Sequence, residues 1–195
     1  MAKVQLGPQT MLYPMPVVMV GSMVDGKPNF MTVAWCGIVN GSPPMISIAI
    51  GSHNYTQKGI RENMAFSINI PSVALVKEAD FCGITSGADI DKAAVCNFNV
   101  FFGNNENAPL IEQCPVNLEC RAAHTVDFDG VYLILGRIEE SHVSDDCLTR
   151  GKPDVTKIKP LAYTRGPSPK YYALGEVIGD AYSIGKSLKN GITKS

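Results

Sequence analysis

The stretch running from Val17 to Trp35 constrains this chain most. An apolar run, Val17-Val18-Met19-Val20-Gly21-Ser22-Met23-Val24, is followed by Asp25-Gly26-Lys27-Pro28 and then by Asn29-Phe30-Met31-Thr32-Val33-Ala34-Trp35. Two β-prone runs around Asp-Gly predict a hairpin, because that dipeptide tolerates the positive φ values that a tight turn between twisted strands requires. The second strand carries the only tryptophan. It also offers an amide, a hydroxyl and closely spaced backbone N–H groups, which suit a flat ligand bearing a phosphate. Taken alone, the hairpin is better explained by Trp35 as core filling and by Asn29 and Thr32 as ordinary strand-edge residues. The ligand reading therefore has to be earned from the rest of the chain.

Downstream, Met45-Ile46-Ser47-Ile48-Ala49-Ile50 alternates apolar with small residues as a half-buried strand does. Pro43-Pro44 ends the preceding strand and blocks a helix. Gly51-Ser52-His53-Asn54-Tyr55-Thr56 reads as a loop entering a short helix over Gln57 to Asn63, with Ser52 and Asn54 as candidate N-caps. A helix N-terminus beside hydroxyl groups can hold a phosphate, and plain capping accounts for the same residues. Phe66-Ser67-Ile68-Asn69-Ile70 is a further strand, stopped by Pro71. Ser72 to Ala79 reads as a helix capped by Ser72, and Thr85 to Lys92 as a loop leading into another short helix. Asn97 to Asn107 is polar and irregular. Val116 to Val126 and Val131 to Ile138 are predicted strands joined at Asp127-Phe128-Asp129-Gly130. A charged excursion over Asp145 to Lys159 precedes short strands at Pro160 to Thr164 and Tyr171 to Val177, then a terminal helix over Ala181 to Leu188. Strands outnumber helices without regular β-α alternation. This predicts a mainly β protein, an antiparallel barrel with added helices, in one domain spanning residues 1–195.

Composition narrows the function. At net charge −1 and without a Lys/Arg cluster, the chain lacks the basic face that nucleic acid demands. No apolar run approaches the length of about 18 residues needed to span a bilayer, and Pro14 and Pro16 interrupt the N-terminal apolar run, so a cytoplasmic protein is expected. Charged residues make up 18% against about 25% in typical globular chains, which points to surface covered by a partner. The six cysteines form no C-x-x-C pair; scattered in this way they are expected to be small buried apolar residues, with no metal bound. Gly179 to Ser187 mimics a phosphate-binding P-loop but has five residues between its glycines where four are needed. Neither a G-x-G-x-x-G after a strand nor a G-x-S-x-G elbow occurs, and His53, His124 and His142 lie far apart.

Several of these features, taken in order, resemble the flavin reductase-like, FMN-binding split-barrel family, and its flavoredoxin branch in particular. They are Pro14-Met15-Pro16-Val17-Val18; Gly26-Lys27-Pro28-Asn29 followed by Met31 to Trp35; Pro43-Pro44; Tyr55-Thr56 ahead of Ile60; Phe66-Ser67-Ile68-Asn69; Ser86-Gly87 with Asp91-Lys92; and Pro160-Leu161-Ala162-Tyr163. The resemblance implies a Greek-key FMN-binding split barrel and a homodimer with FMN near the subunit interface. It places Asn29, Thr32 and Trp35, with the intervening Met31, Val33 and Ala34, around the flavin. It places Ser52 and Thr56 near the phosphate and Lys92 within reach of the cofactor, with Gly51, Tyr55, Ser86 and Tyr163 completing the expected set. One departure stands out: the Gly-x-His common in the family's penultimate barrel strand is replaced by Asp129-Gly130-Val131-Tyr132.

The chemistry implied is that of the flavin, with the protein supplying binding and electrostatics. Hydroxyls, N–H groups and the Lys92 cation suit a dianionic phosphate, and the Trp35 indole suits the ring. Hydride transfer to a flavin needs no protein acid or base, so no catalytic residue is expected. The leading expectation is an oxidoreductase passing electrons from NAD(P)H through FMN to a flavin or another acceptor. The alternatives are an electron carrier with tightly bound FMN that exchanges electrons with a redox protein partner, and a non-catalytic flavin-binding barrel.

Overall fold

The computed structural model describes residues 1–191. The Asp-Gly signal does what its chemistry predicts. Asp25 and Gly26 both take positive φ, 50° and 75°, and Val24 pairs directly with Lys27 across a two-residue turn. This turn joins β1 (Val18–Val24) to β2 (Lys27–Val33). Five more strands complete the main sheet: β3 (Cys36–Gly41), β4 (Pro44–Gly51), β5 (Ala65–Ile70), β6 (Val116–Asp127) and β7 (Val131–Val143).

The seven strands are antiparallel in the order β2-β1-β5-β6-β7-β4-β3. Its two outermost strands, β2 and β3, are joined through Ala34 and Trp35 alone, so the sheet must curl on itself, and Trp35 O accepts from Ala49 N at 2.9 Å beside the join. Two register shifts between β6 and β7 help the curvature. The result is a split barrel, as expected. A smaller sheet pairs Met15–Pro16 with β8 (Leu161–Thr164), which also pairs with β9 (Lys170–Ala173).

The alternation of β1 shows why its sequence is apolar throughout. Val18 and Val20 belong to the barrel core with Val33, Ile46, Ile48, Ile50, Phe66, Ile68 and Ile134, whereas Val17 and Met19 belong to a second core with Phe30, Ala79, Cys82, Phe98 and Ile111. A strand buried on both faces reads as a continuous apolar run. The second core packs α2 (Val76–Ile84) and the one-turn α3 (Lys92–Val95), whereas α1 (Tyr55–Asn63) sends Ile60 into the barrel core. All six cysteines are free thiols, four of them buried. No group of three or more metal-ligating side chains is found among the described residues.

Several local expectations need correction. The N-cap of α1 is Asn54, not Ser52, and it makes no side-chain cap bond. Ser72 caps nothing with its side chain; it precedes a single 3-10 turn at Val73–Leu75, and the α-helix starts at Val76 and runs past Ala79 to Ile84. The terminal segment is a 3-10 helix at Ile184–Gly191, not an α-helix over Ala181 to Leu188. Strand β9 stops at Ala173 before reaching Val177, while β7 continues five residues beyond Ile138 to Val143 because it keeps pairing with β6 down to Val116.

Buried polar groups tie the loop after Asn97 onto the sheet. Asn69 Nδ2 donates to Met19 O (3.0 Å) and Ser67 Oγ (2.9 Å), while its Oδ1 accepts from Ile111 N (2.9 Å) and Asn117 Nδ2 (2.8 Å). Both amides are buried and paired, as a low-dielectric interior demands. Nearby, Glu119, 1% exposed, accepts from Asn105 N (2.8 Å) and meets His142 Nε2 at 2.7 Å.

Candidate functional site

A groove runs across the sheet edge where β2 faces α1 and the end of α2. It consists of three hollows that share lining residues. The first, about 320 Å³, is lined by Lys27, Asn29, Tyr55, Gly87 and Lys92 among others. The second, about 230 Å³, is walled by Met31, Asn54, Tyr55, Thr56, Ser86 and Lys92. The third, about 280 Å³, is lined by Met31 to Trp35, Gly51, Asn54, Tyr163 and Arg165. Of the thirteen residues expected at the cofactor, twelve line this groove. Ser52 is the exception: it is exposed and its N–H is taken by Gly130 O at 2.9 Å.

The groove is built by side chains that fix one another. Asn29 is buried and its Nδ2 donates to Thr56 Oγ1 at 2.7 Å, which ties β2 to the first turn of α1. Gly87 lies so close to Asn29 Oδ1 that any side chain there would collide with it, so this glycine lets the loop after α2 close over the strand. Thr32 Oγ1 donates to Ala79 O at 2.5 Å, so it ties β2 to α2. Tyr55 OH donates to Asp25 Oδ2 at 2.9 Å, and Lys58 Nζ meets the other oxygen of the same carboxylate at 2.5 Å.

Two residues stand out electrostatically and chemically. Lys92 is only 3% exposed, yet its Nζ meets no carboxylate among the described residues. It donates to Cys82 O (3.1 Å) and Thr85 O (2.9 Å), capping the carbonyl end of α2. Burial pulls its pKa below the ordinary lysine value. A buried ammonium with two of its three donors placed, lining two hollows, suits an anionic group entering the groove. Trp35 is 43% exposed and so is not core filling. It lines the third hollow.

Sequence reasoning missed Arg165, which lines the third hollow opposite no recognisable motif, and Thr85, whose carbonyl positions Lys92. It also missed the apolar hollow of about 380 Å³ that adjoins the groove at Thr32, Ala34 and Tyr163. There Tyr171 OH donates to Asp80 Oδ1 at 3.0 Å, and burial together with that carboxylate holds the Tyr171 phenol up at about 12. Asp80 and Tyr171 are far apart in the chain, and no local pattern joins them.

This barrel and groove are those of a flavin reductase-like protein. The chain belongs to that family: the model described as the flavin reductase like domain matches residues 10–170. Within it, the chain is similar over nearly its whole length to two flavoredoxins of known structure. The flavoredoxin of Methanosarcina acetivorans is 39% identical with a TM-score of 0.92, covering 96% of this chain and 100% of that one. The flavoredoxin of Desulfovibrio vulgaris (Miyazaki F) is 35% identical with a TM-score of 0.88, covering 94% and 100%. An uncharacterised protein of Archaeoglobus fulgidus is 33% identical over 145 residues, 74% of this chain and 80% of that one.

Proposed function

We propose that this protein binds FMN in the groove and passes electrons from NAD(P)H through it to a flavin or another acceptor. The observation that carries the reading is Lys92, a buried cation with no carboxylate partner among the described residues, at the head of a groove that ends at the exposed Trp35. An anionic, flat ligand satisfies both. Asn29, Met31, Val33, Ala34 and Trp35 would flank the ring; Tyr55, Thr56 and Ser86 would face the phosphate side with Lys92; Gly51 and Tyr163 would close the far end. FMN supplies the redox chemistry, accepting two electrons and passing them on. The protein positions it and excludes water from its buried face, and Lys92 supplies the positive charge on its anionic side. Thr32 lines the groove with its hydroxyl proton given to Ala79 O, so toward the ligand it can act only as an acceptor. Ser52, exposed outside the groove, contributes least.

The likeness to two flavoredoxins along their entire length, and the missing barrel-strand histidine, favour a second reading: an electron carrier with tightly bound FMN that serves a redox protein partner without reacting with nicotinamide. Stopped-flow mixing of the FMN-loaded protein with NADH and NADPH separates the two. Flavin bleaching by either nucleotide supports the oxidoreductase; no bleaching, with reduction by a ferredoxin-like protein, supports the carrier. A colourless protein that takes up no added FMN overturns both.

The groove is open on the side of Trp35, and exposed Trp35, Ile38 and Val39 cluster near the β2–β3 join. This supports a homodimer that covers the site, to be checked by sedimentation at micromolar concentration, where a monomer would count against it. No helix among the described residues is long and apolar enough to cross a membrane.

A further inference from the structure

The apolar hollow beside the groove has no part in holding FMN, yet it contains a charge without a counter-ion. Its volume, about 380 Å³, lies within the range of about 300–1,000 Å³ usual for small-molecule sites. Val17, Ile84 and Pro169 give it apolar walls. Tyr163 and Tyr171 add an aromatic face, with ring centroids 5.6 Å apart and ring planes tilted by 48°. Among the described residues, Asp80 on α2 is the one charged side chain lining the hollow, and it forms no ion pair. The other polar groups there are mostly acceptors. Burial and the Asp80 carboxylate keep the Tyr171 phenol protonated, and its proton goes to Asp80 Oδ1 at 3.0 Å. Thr32 has given its proton to Ala79 O. A tie between β9 and α2 accounts for one oxygen of Asp80. It accounts neither for the second oxygen, which accepts no hydrogen bond among the described residues, nor for the room beside it.

We propose that this hollow binds a flat aromatic cation carrying an N–H donor, of which a pyridinium ring with an amide is the simplest form. Asp80 supplies the opposite charge. The two tyrosine rings attract a cation through their π faces, an interaction that strengthens where water is excluded. The N–H finds acceptors in the second Asp80 oxygen and in Thr32 Oγ1. Charge complementarity decides the occupant: an aromatic anion meets the carboxylate with no cation to offset it, and a neutral ring gains contact area alone. The hollow and the groove share Thr32, Ala34 and Tyr163. A ring bound in one therefore abuts whatever fills the other. With FMN in the groove, the cation stands at the flavin's side, as the oxidised nicotinamide of a dinucleotide or as a free organic cation. That last consequence rests on the FMN reading; the cation site does not.

The test titrates the full-length protein, FMN-free and FMN-loaded, with 1-methylnicotinamide, a pyridinium cation bearing an amide. Nicotinamide, the same ring without the charge, and nicotinate, its anionic counterpart, are the controls. Calorimetry should show the cation binding roughly tenfold more tightly than nicotinamide, with nicotinate weaker than both. The backbone amide NMR signals of Asp80, Gly83 and Ile84 should shift during the titration. Asp80→Asn keeps an oxygen for the Tyr171 proton and should hold Tm, but it should erase the preference for the cation. Ile84 is 77% exposed, so Ile84→Trp should fold normally and, by narrowing the hollow, weaken the cation in FMN-free protein with the Asp80 charge intact. Displacement of the probe by NAD+ or NADP+ supports the site and assigns the ring to a dinucleotide. Saturable binding without displacement supports it and assigns the ring to a free cation. Equal affinity for 1-methylnicotinamide and nicotinamide, an unchanged preference in Asp80→Asn, or amide shifts confined to other parts of the chain would overturn the proposal. Failure to take up FMN would overturn the cofactor reading and leave the titration of FMN-free protein to decide this one.

Discussion

Lys92→Met separates a structural lysine from a ligand-binding one. In the free protein the change deletes two charge-assisted hydrogen bonds, to Cys82 O and Thr85 O. Each such bond contributes about 1.5–3 kcal/mol. The loss is offset because methionine buries no charge, and burial already strains the ammonium, as its lowered pKa shows. A net loss of about 1–2 kcal/mol is expected, or roughly 2–8 °C in Tm for a chain of this size. An FMN group facing Nζ would lose one more charge-assisted bond, weakening affinity by roughly 10–150-fold. Fluorescence titration of FMN into the free protein, run beside thermal melts, measures both. The pH dependence gives an independent signature. The native pKa lies below the unfolded value of 10.5, so on approaching 10.5 from below the unfolded chain holds more protons and apo stability rises with pH. FMN affinity should fall over the same window as the cation is lost. Both trends should vanish in Lys92→Met. If the ammonium faces the ring edge, the bound flavin's potential drops in the variant; if it faces the phosphate, the potential holds. A variant that melts earlier yet binds FMN with unchanged affinity and potential would refute the reasoning and leave Lys92 as the cap of α2.

Four further outcomes are expected. Trp35→Ala should weaken FMN binding by about 0.5–1.5 kcal/mol beyond its area while barely moving Tm, since the indole is 43% exposed; a collapsed Tm with unchanged affinity would refute this. Asn69→Ala leaves Ile111 N and Asn117 Nδ2 each without one partner in the core, and denaturant unfolding should show a loss of about 2–4 kcal/mol from buried groups left unpaired. His142→Ala strips Glu119 Oε1 of its side-chain partner. A loss of about 1–3 kcal/mol is expected, and Glu119→Gln in the same background should restore part of it. Asp154 is held down at about 2, first by the Thr149 hydroxyl and then by Thr156. Its contribution is therefore present above 3.8 and lost as pH falls through about 2, so Asp154→Asn should flatten the stability profile across that acid window.

The sequence by itself determined what is local or periodic. Asp25-Gly26 set a hairpin with both φ values positive, alternation set β4 and β5, and Pro44 fixed where β4 begins, because each is decided by backbone sterics or by a single buried face. The colinear motifs were enough to bring most of the groove's lining residues into view. Local signals failed where pairing elsewhere took over. β7 runs on to Val143 because β6 supplies partners, and the helix after Pro71 starts late because Ser72 bridges to Pro160 and Val73 N bonds to Lys159 O. Only the tertiary structure decided the roles of polar side chains. Thr32 and Lys92 look alike as ligand candidates in a sequence, but one has given its hydroxyl proton to Ala79 O and the other keeps an ammonium donor beside the groove. Nor does any spacing rule join Asp80 to Tyr171 or Glu119 to His142. Those juxtapositions arise because a curled sheet brings distant strands and helices together, and the energy of a buried polar group depends on which partner it finds there.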